Sequence, residues 1–422
     1  MNKKYYIFIT NSIYGYGGGQ LLTLRKAKFL RDKGWSVLII YKRKMGDFHL
    51  EREFGEFNVL FIPDFSSHYN FVKKKRRNEI VNTIKTHLVN MSNTSSFIES
   101  NDLACAVWGE LLSKSLEVKH ALYMLTEENM NRLFYYPYKR FYKYKLHNNE
   151  LWGCNSRGID ISFGEKLPNY RSNYINVAFD EKEISERTEP QFIINKHKND
   201  SIVIATLTRL EKPYLTPLID TISLMCKNRN DINVCFIIAG GSVDKNEEEK
   251  IRNKVLEVNT SVSNLHIQLT GYIKPGKDFF DSIDIFVGMG TAAISALAQG
   301  CIVLPINPLT NKTPGIFGVE TFNFAYPDNE TEFDISKKIR ELSLLSIEQR
   351  KVITEKSREY FINHYTLEST YEVLKCLMSK IKNEDTYSFD YSIFYKPFDY
   401  AVEIVRRIRN FINGGKEKKW VV

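Results

Sequence analysis

No stretch of this chain stays apolar for the about 20 residues that a membrane span requires. The apolar run Tyr5 to Ile9 is too short for a signal-peptide core, and Thr10, Asn11 and Ser12 close it. The six cysteines (Cys105, Cys154, Cys226, Cys235, Cys301 and Cys376) form no C-x-x-C pair, which argues against a zinc ribbon or a redox dithiol. Most lie in or beside apolar segments and are expected to be buried free thiols in a reducing compartment. No D-x-D metal motif, internal repeat or low-complexity tract occurs. The expected location is cytoplasmic, with peripheral attachment to the inner face of the cell membrane as a further expectation.

The chain has 422 residues, of which 43% are hydrophobic and 13% aromatic, enough to bury two cores. Its net charge is +9 and its cations are clustered, which points to an anionic partner: nucleotide, phospholipid surface, anionic glycan or nucleic acid. Tyr5–Thr10 reads as a strand, Asn11 to Gly19 as a glycine-rich loop, Gln20–Lys33 as a helix stopped by Gly34, and Trp35–Tyr41 as a second strand. Val59–Ile62, Ala104–Val107 and Ala121–Leu125 are further strand candidates. The order recurs later. Ser201–Thr206, Val234–Ala239, Leu265–Leu269 and Ile283–Val287 read as strands, with helices over Pro217–Cys226, Glu247–Val258 and Phe279–Ser282. Alternation of this kind predicts an α/β chain of two Rossmann-like, doubly wound domains, over 1–185 and 195–380, joined through the polar stretch Glu181–Asp200.

The glycines mark the places where chemistry is expected. Asp284-Ile-Phe-Val-Gly288-Met-Gly290-Thr291 followed by a small-residue helix to Gly300 reads as strand, glycine turn and helix N-terminus, which is a seat for a diphosphate. The first loop, Gly15-Tyr-Gly17-Gly18-Gly19-Gln20, departs from the dinucleotide fingerprint at Gln20. Tyr41-Lys-Arg-Lys44 stands where that fingerprint wants a ribose-binding acid, which argues against NAD. The loop still offers backbone N–H groups for an acceptor or phosphate, with a plain tight turn as the alternative. Arg209 and Lys212 follow the strand Ser201–Thr206 and are suited to neutralising a diphosphate, the alternative being surface charge. Gly240, Gly241 and Gly271 end neighbouring strands on the same side.

These blocks together resemble a GT-B glycosyltransferase: two such domains facing a cleft, a Gly-Gly loop, a strand-end Arg/Lys pair, Ala239-Gly-Gly241, Leu269-Thr-Gly-Tyr272 and a small-residue helix ending Ala-Gln-Gly300. The nearer likeness is to the group 1 set, family 4, of bacterial polysaccharide clusters, over about residues 1–375. The resemblance implies transfer of a hexose, with retention of configuration, from a nucleotide-diphosphate sugar to a glycan or lipid-linked acceptor in surface polysaccharide biosynthesis. The nucleotide sugar is a co-substrate, and no cofactor or metal is required. The first domain would serve the acceptor and the second the donor. The segment 381–422, with its helical stripe Ala401 to Ile412, would pack back on the first domain. Donor contacts would come from Arg209, Lys212, Gly240, Gly241, Tyr272, Ile273, Gly288, Gly290, Thr291 and Ser295. The family's pair of glutamates eight apart falls here on Val287 and Ser295, so neither carboxylate is present.

No catalytic histidine stands out in the first domain, and His120, at the start of a strand, reads as structural. Trp108-Gly-Glu110 and Leu125-Thr-Glu127-Glu128 are read as strand ends, which makes Glu110, Glu127 and Glu128 the candidates for orienting or deprotonating an acceptor hydroxyl. The alternative is that these acids only precede helices. The run Lys73–Arg77 and the aromatic-basic stretch Asn131–Leu146 suit a sugar, an anionic membrane surface or a solvated face. Nucleic acid is not expected, since no module signature accompanies them. Two other function classes compete: a non-catalytic GT-B protein that binds a glycan or a partner transferase, and a sugar-nucleotide epimerase. The epimerase is disfavoured by the lack of acids in the second-domain loops.

Overall fold

Continuous apolar strands alternating with amphipathic helices can bury both strand faces only in parallel sheets covered on two sides. The computed structural model describes residues 3–15, 18–44, 48–125, 138–154, 159, 173–191, 193, 201–229, 231–242, 244–324, 330–382, 387 and 389. The chain divides into two units, one running to Ile175 and resumed from Cys376, the other spanning Asn176–Lys375. No helix of the described residues is long and apolar enough to cross a membrane.

The first unit holds β1 (Tyr5–Thr10), β2 (Ser36–Tyr41), β3 (Asn58–Phe61), β4 (Phe97–Ser100), β5 (Lys119–Met124) and β6 (Leu151–Gly153). They form one parallel sheet in the order β3-β2-β1-β4-β5-β6. Its helices are α1 (Gly18–Asp32), α2 (Glu51–Phe54), α3 (Lys74–Thr86), α4 (Leu103–Leu116) and α5 (Lys139–His147). The second unit holds β7 (Ile202–Leu207), β8 (Val234–Ala239), β9 (Leu265–Gly271), β10 (Ile285–Gly288) and β11 (Ile302–Pro305), all parallel, in the order β11-β10-β7-β8-β9. Its helices are α6 (Leu215–Lys227), α7 (Lys245–Ser261), α8 (Lys277–Asp281), α9 (Thr291–Ala298), α10 (Ile335–Ser343) and α11 (Ile347–Tyr365), and α12 (Leu367–Lys380) leads back to the first unit. In both sheets the winding direction reverses beside the first strand, between β1 and β4 and between β7 and β10.

Two sequence readings fail locally. Ala104–Val107 is helix rather than strand: Asp102 accepts the Cys105 N–H at 2.8 Å and caps α4, and the strand lies just before it at Phe97–Ser100. An unbroken apolar run fits either element, and the N-cap decides. The helix expected from Gln20 begins at Gly18, so Gly18 and Gly19 belong to its first turn.

Burial of charge shapes the first unit. Lys26 lies among the rings of Tyr6, Phe8 and Tyr123 and pairs with Glu99, which also accepts the Tyr6 hydroxyl at 2.5 Å. Glu110 on α4 is 3% exposed and pairs with Lys145 of α5. Lys145 also donates to Nδ1 of His120 at 3.0 Å and reaches Glu150 at 2.8 Å, while His120 Nε2 meets Ser100 Oγ at 2.9 Å. Gly109 makes room for this network, because a Cβ there would stand 2.4 Å from His120 Nε2. Glycine inside a helix costs about 1 kcal/mol, which the buried network offsets. The chain after α12 docks here too. The Tyr387 N–H donates to Glu110 at 2.6 Å, and Phe389 packs its ring against His68 and Phe141. The C-terminal stripe 401–412 lies outside the described residues.

Burial keeps His68 and His120 neutral. It depresses His68 to about 3, with the Arg77 charge adding to the effect, and His120 to about 4, with Lys145 adding and Glu110 opposing. A folded-state pKa below the unfolded value near 6.5 means that the unfolded chain takes up the proton first. Stability of the first unit should therefore fall as pH drops from about 6.5 towards 4. Urea midpoints measured at pH 7 and pH 5 should show this loss. His68→Asn keeps an acceptor for the Asn70 N–H, and it should flatten the pH dependence while lowering stability at both values through lost ring packing.

Candidate functional site

A parallel sheet places the ends of all its strands, and the starts of the helices that follow them, along one edge, and ligands bind where the winding reverses. In the second unit that reversal lies between β7 and β10. Arg209 and Lys212 follow β7, and Gly288, Gly290 and Thr291 connect β10 to α9. Gly290 has φ +65°, and its N–H donates to the Phe324 carbonyl at 3.0 Å. Thr291, the first residue of α9, is exposed. The opening N–H groups of a helix have no partner inside it, and its dipole favours an anion. Arg209 is exposed and Lys212 half-buried; burial, then the neighbouring Arg209 charge, lowers the Lys212 pKa.

The neighbouring strand ends are stitched to this point by backbone bonds. The Thr208 N–H donates to Ala239 at 2.8 Å, Leu210 N–H to Gly241 at 3.2 Å and Gly240 N–H to Gly271 at 2.8 Å. Gly240 has φ +137°, and a Cβ on it would stand 1.8 Å from the Thr208 carbonyl oxygen. The Thr208 hydroxyl is held by Tyr214 at 2.8 Å, and Ser242 donates to Glu211 at 2.8 Å. Tyr272, directly after β9, is 69% exposed. Arg209, Lys212, Gly240, Gly241, Tyr272, Gly288, Gly290 and Thr291 thus share one sheet edge. Two expected donor contacts sit differently. Ile273 is 6% exposed and packs in the core with Phe279 and Phe280. Ser295 lies one turn into α9 and donates its hydroxyl to the Thr291 carbonyl at 2.9 Å. Val287 is fully buried among Ile285, Leu304 and their neighbours, so the place where the family resemblance wants a first glutamate is a core position here.

In the first unit the reversal lies between β1 and β4. The first turn of α1 carries Gly18 and Gly19, and Gln20 donates its side-chain amide to the Tyr14 carbonyl at 3.0 Å, which closes the loop. Gly17 lies outside the described residues. Asp102 and the buried Lys42 meet here at 2.7 Å. Burial pushes the Asp102 carboxyl up, but Lys42 and the Cys105 N–H outweigh it and hold its pKa below the usual range. Asp102 was not singled out in the sequence, and Lys42 entered only as part of Tyr41–Lys44; the signal for Asp102 was an acid two residues past a strand and ahead of an apolar helical run. Asn101 beside them has a buried Oδ1 with no partner among the described residues. Glu110 does not belong to this edge. It sits within α4 rather than at a strand end, and its partner His120 lies at the start of β5. Burial raises the Glu110 pKa, but the Lys145 charge prevails and the pKa is lowered to about 2. Glu127 and Glu128 lie outside the described residues.

Solved structures share this architecture over nearly the whole chain. A glycosyltransferase from Rickettsia africae superposes with a TM-score of 0.64 at 18% identity, covering 91% of this chain and all of its own. The chain has the GT-B fold. Anabaena HepE, solved with UDP and glucose, matches with a TM-score of 0.56 at 14% identity, covering 89% of this chain and all of its own. The lipopolysaccharide outer core galactosyltransferase WaaB matches at 0.56 and 10% identity, over 89% of this chain and 99% of its own. No protein-family profile matches the sequence, and no curated protein does. A GT-B reading accounts for the two sheets and their reversal points.

Chemical denaturation should separate the two glycine turns of the second unit. Gly240→Ala should destabilise by at least about 2 kcal/mol, since positive φ and a backbone clash combine. Gly290→Ala has open space around it and should cost about 1–3 kcal/mol of backbone strain alone, so it should be the milder of the two.

Proposed function

We propose that this protein is a glycosyltransferase that moves a hexose, with retention, from a nucleotide-diphosphate sugar to a glycan or lipid-linked acceptor in bacterial surface polysaccharide assembly. The observation that carries the proposal is the reversal point of the second sheet, where Arg209 and Lys212 follow β7 and the glycine turn after the neighbouring β10 opens α9. That arrangement suits a leaving diphosphate. As the bond between the sugar and the phosphate oxygen breaks, negative charge grows on the departing group, and fixed cations and helix N–H groups stabilise it without reorganising. Tyr272 offers its ring face to the base. The structural neighbours support the same reading: HepE was solved with UDP and glucose, and WaaB is a galactosyltransferase of lipopolysaccharide. In the first unit, the α1 N-terminus and the Lys42–Asp102 pair at the other reversal point are the proposed acceptor side. Retention places the leaving diphosphate on the face that the acceptor approaches, where it accepts the hydroxyl proton as the new bond forms.

A second reading has its own support. Val287 is sealed in the core and the Ser295 hydroxyl is donated to its own helix, so neither position presents a carboxylate to a sugar. A GT-B protein that binds its nucleotide without turnover would tolerate this. Calorimetry with UDP and GDP, together with transfer assays over a panel of nucleotide sugars, separates the two: binding with transfer supports the enzyme, binding without it the alternative. Arg209→Ala should weaken nucleotide diphosphate binding by about 1.5–3 kcal/mol, the worth of hydrogen bonds to a charged group. Unchanged affinity would displace the proposed donor site.

A further inference from the structure

The helix α3 carries its charge at the wrong end for its own stability. Lys74, Lys75, Arg76 and Arg77 fill its first turn, no acid stands among them, and the N-cap Lys73 makes no side-chain capping bond. Cations at the positive end of a helix dipole are unfavourable unless an anion answers them. Among the described residues Arg76 is answered, by Asp64 at 2.9 Å and more loosely by Glu79. Lys73, Lys74, Lys75 and Lys85 have no ion-pair partner among the described residues. The Arg77 guanidinium lies 5.7 Å from the Tyr69 ring, and its Nε is closed off from solvent without an acceptor among the described residues.

These cations border a groove of about 450 Å³ between α3 and α4. Lys74, Arg77 and Lys85 line it together with Asn78, Asn82 and Ser115, and Val81 and Leu111 supply its apolar part. From Lys74 to Lys85 the helix rises about 16 Å, so the charges are strung along a line with amides and a hydroxyl between them. A single small anion would not use such a row. A bilayer surface fits poorly as well. Interfacial helices present an apolar face, whereas Ile80 and Ile84 of α3 are committed to the core and its exposed side chains are polar or charged.

We propose that this groove binds an extended anionic oligosaccharide, with the cations answering its carboxylates or phosphates and Asn78, Asn82 and Ser115 its hydroxyls. The groove runs along α3 and α4 from Lys74 towards Lys85 and Ser115, which suits an extended charged chain rather than a single group. The proposal goes beyond the transferase reading and is tested without turnover. The full chain is titrated with an end-labelled oligouronate, with its neutral carboxyl-reduced counterpart, with inorganic phosphate as competitor, and with phosphatidylglycerol vesicles. The oligouronate should bind in a salt-sensitive manner and the reduced form should not. The variant Lys74→Gln/Arg77→Gln/Lys85→Gln should lose about tenfold or more in affinity. A charge-matched control in the second unit, Lys245→Gln/Lys337→Gln/Lys356→Gln, should keep it, with unchanged thermal melting showing that both variants are folded. Equal affinity of the two variants would overturn the proposal. So would saturable binding to the vesicles alone, or displacement by phosphate at concentrations matching the oligouronate.

Discussion

In a parallel sheet every strand must be followed by a helix that starts at the strand's carboxyl end. This one constraint places the loops after β7, β8, β9 and β10 on a common edge and aims the first turn of α9 at it. The winding reverses between β7 and β10, so no crossover helix fills the space between their ends. A cationic strand end and a helix N-terminus then stand on the same sheet edge. Gly240 and Gly290 both turn the backbone through positive φ at this edge, and at Gly240 a side chain would also collide with the Thr208 carbonyl.

The first unit obeys the same rule but uses its polar groups differently. Lys26 with Glu99, Lys42 with Asp102, and Lys145 with Glu110 are charges taken out of water and matched to one another. Desolvation of each ion is costly, and a close partner with further hydrogen bonds recovers that cost. Removing one member would strand the other, so these residues are bound to the fold even where a carboxylate in a helix resembles a catalytic group. Glu110 shows the distinction: its low pKa, its three contacts and its place near the start of β5 make it part of the scaffold that also receives Tyr387. The Lys42–Asp102 pair is similar in chemistry but lies at the reversal point of its sheet, beside the start of α4.

Much of the architecture was legible in the residues. Strands with apolar centres such as Trp35–Tyr41 and Val234–Ala239 lie within a residue or so of β2 and β8, because a fully buried strand leaves a short apolar run bounded by turn residues. Ala104–Val107 was misread because the same apolarity serves a helix buried against the sheet, and only the Asp102 cap tells them apart. Glu110 was misplaced as a consequence. The side chains of Ile273 and Ser295, expected at the donor, are engaged elsewhere, one in the core and one in its own helix.

What the linear chain determined by itself is local and periodic: strand and helix alternation, the glycine turns, the helix starts, and the grouping of cations after β7 and ahead of α3. These depend on near neighbours and backbone conformation, which short stretches of sequence encode. Only the tertiary structure decided which charges are neutralised by burial with distant partners, which face of α3 borders a groove with α4, and that Val287 points into a core. Those outcomes depend on contacts between residues tens of positions apart, such as Lys26 with Glu99. Desolvation acts on the assembled neighbourhood and not on the order of residues.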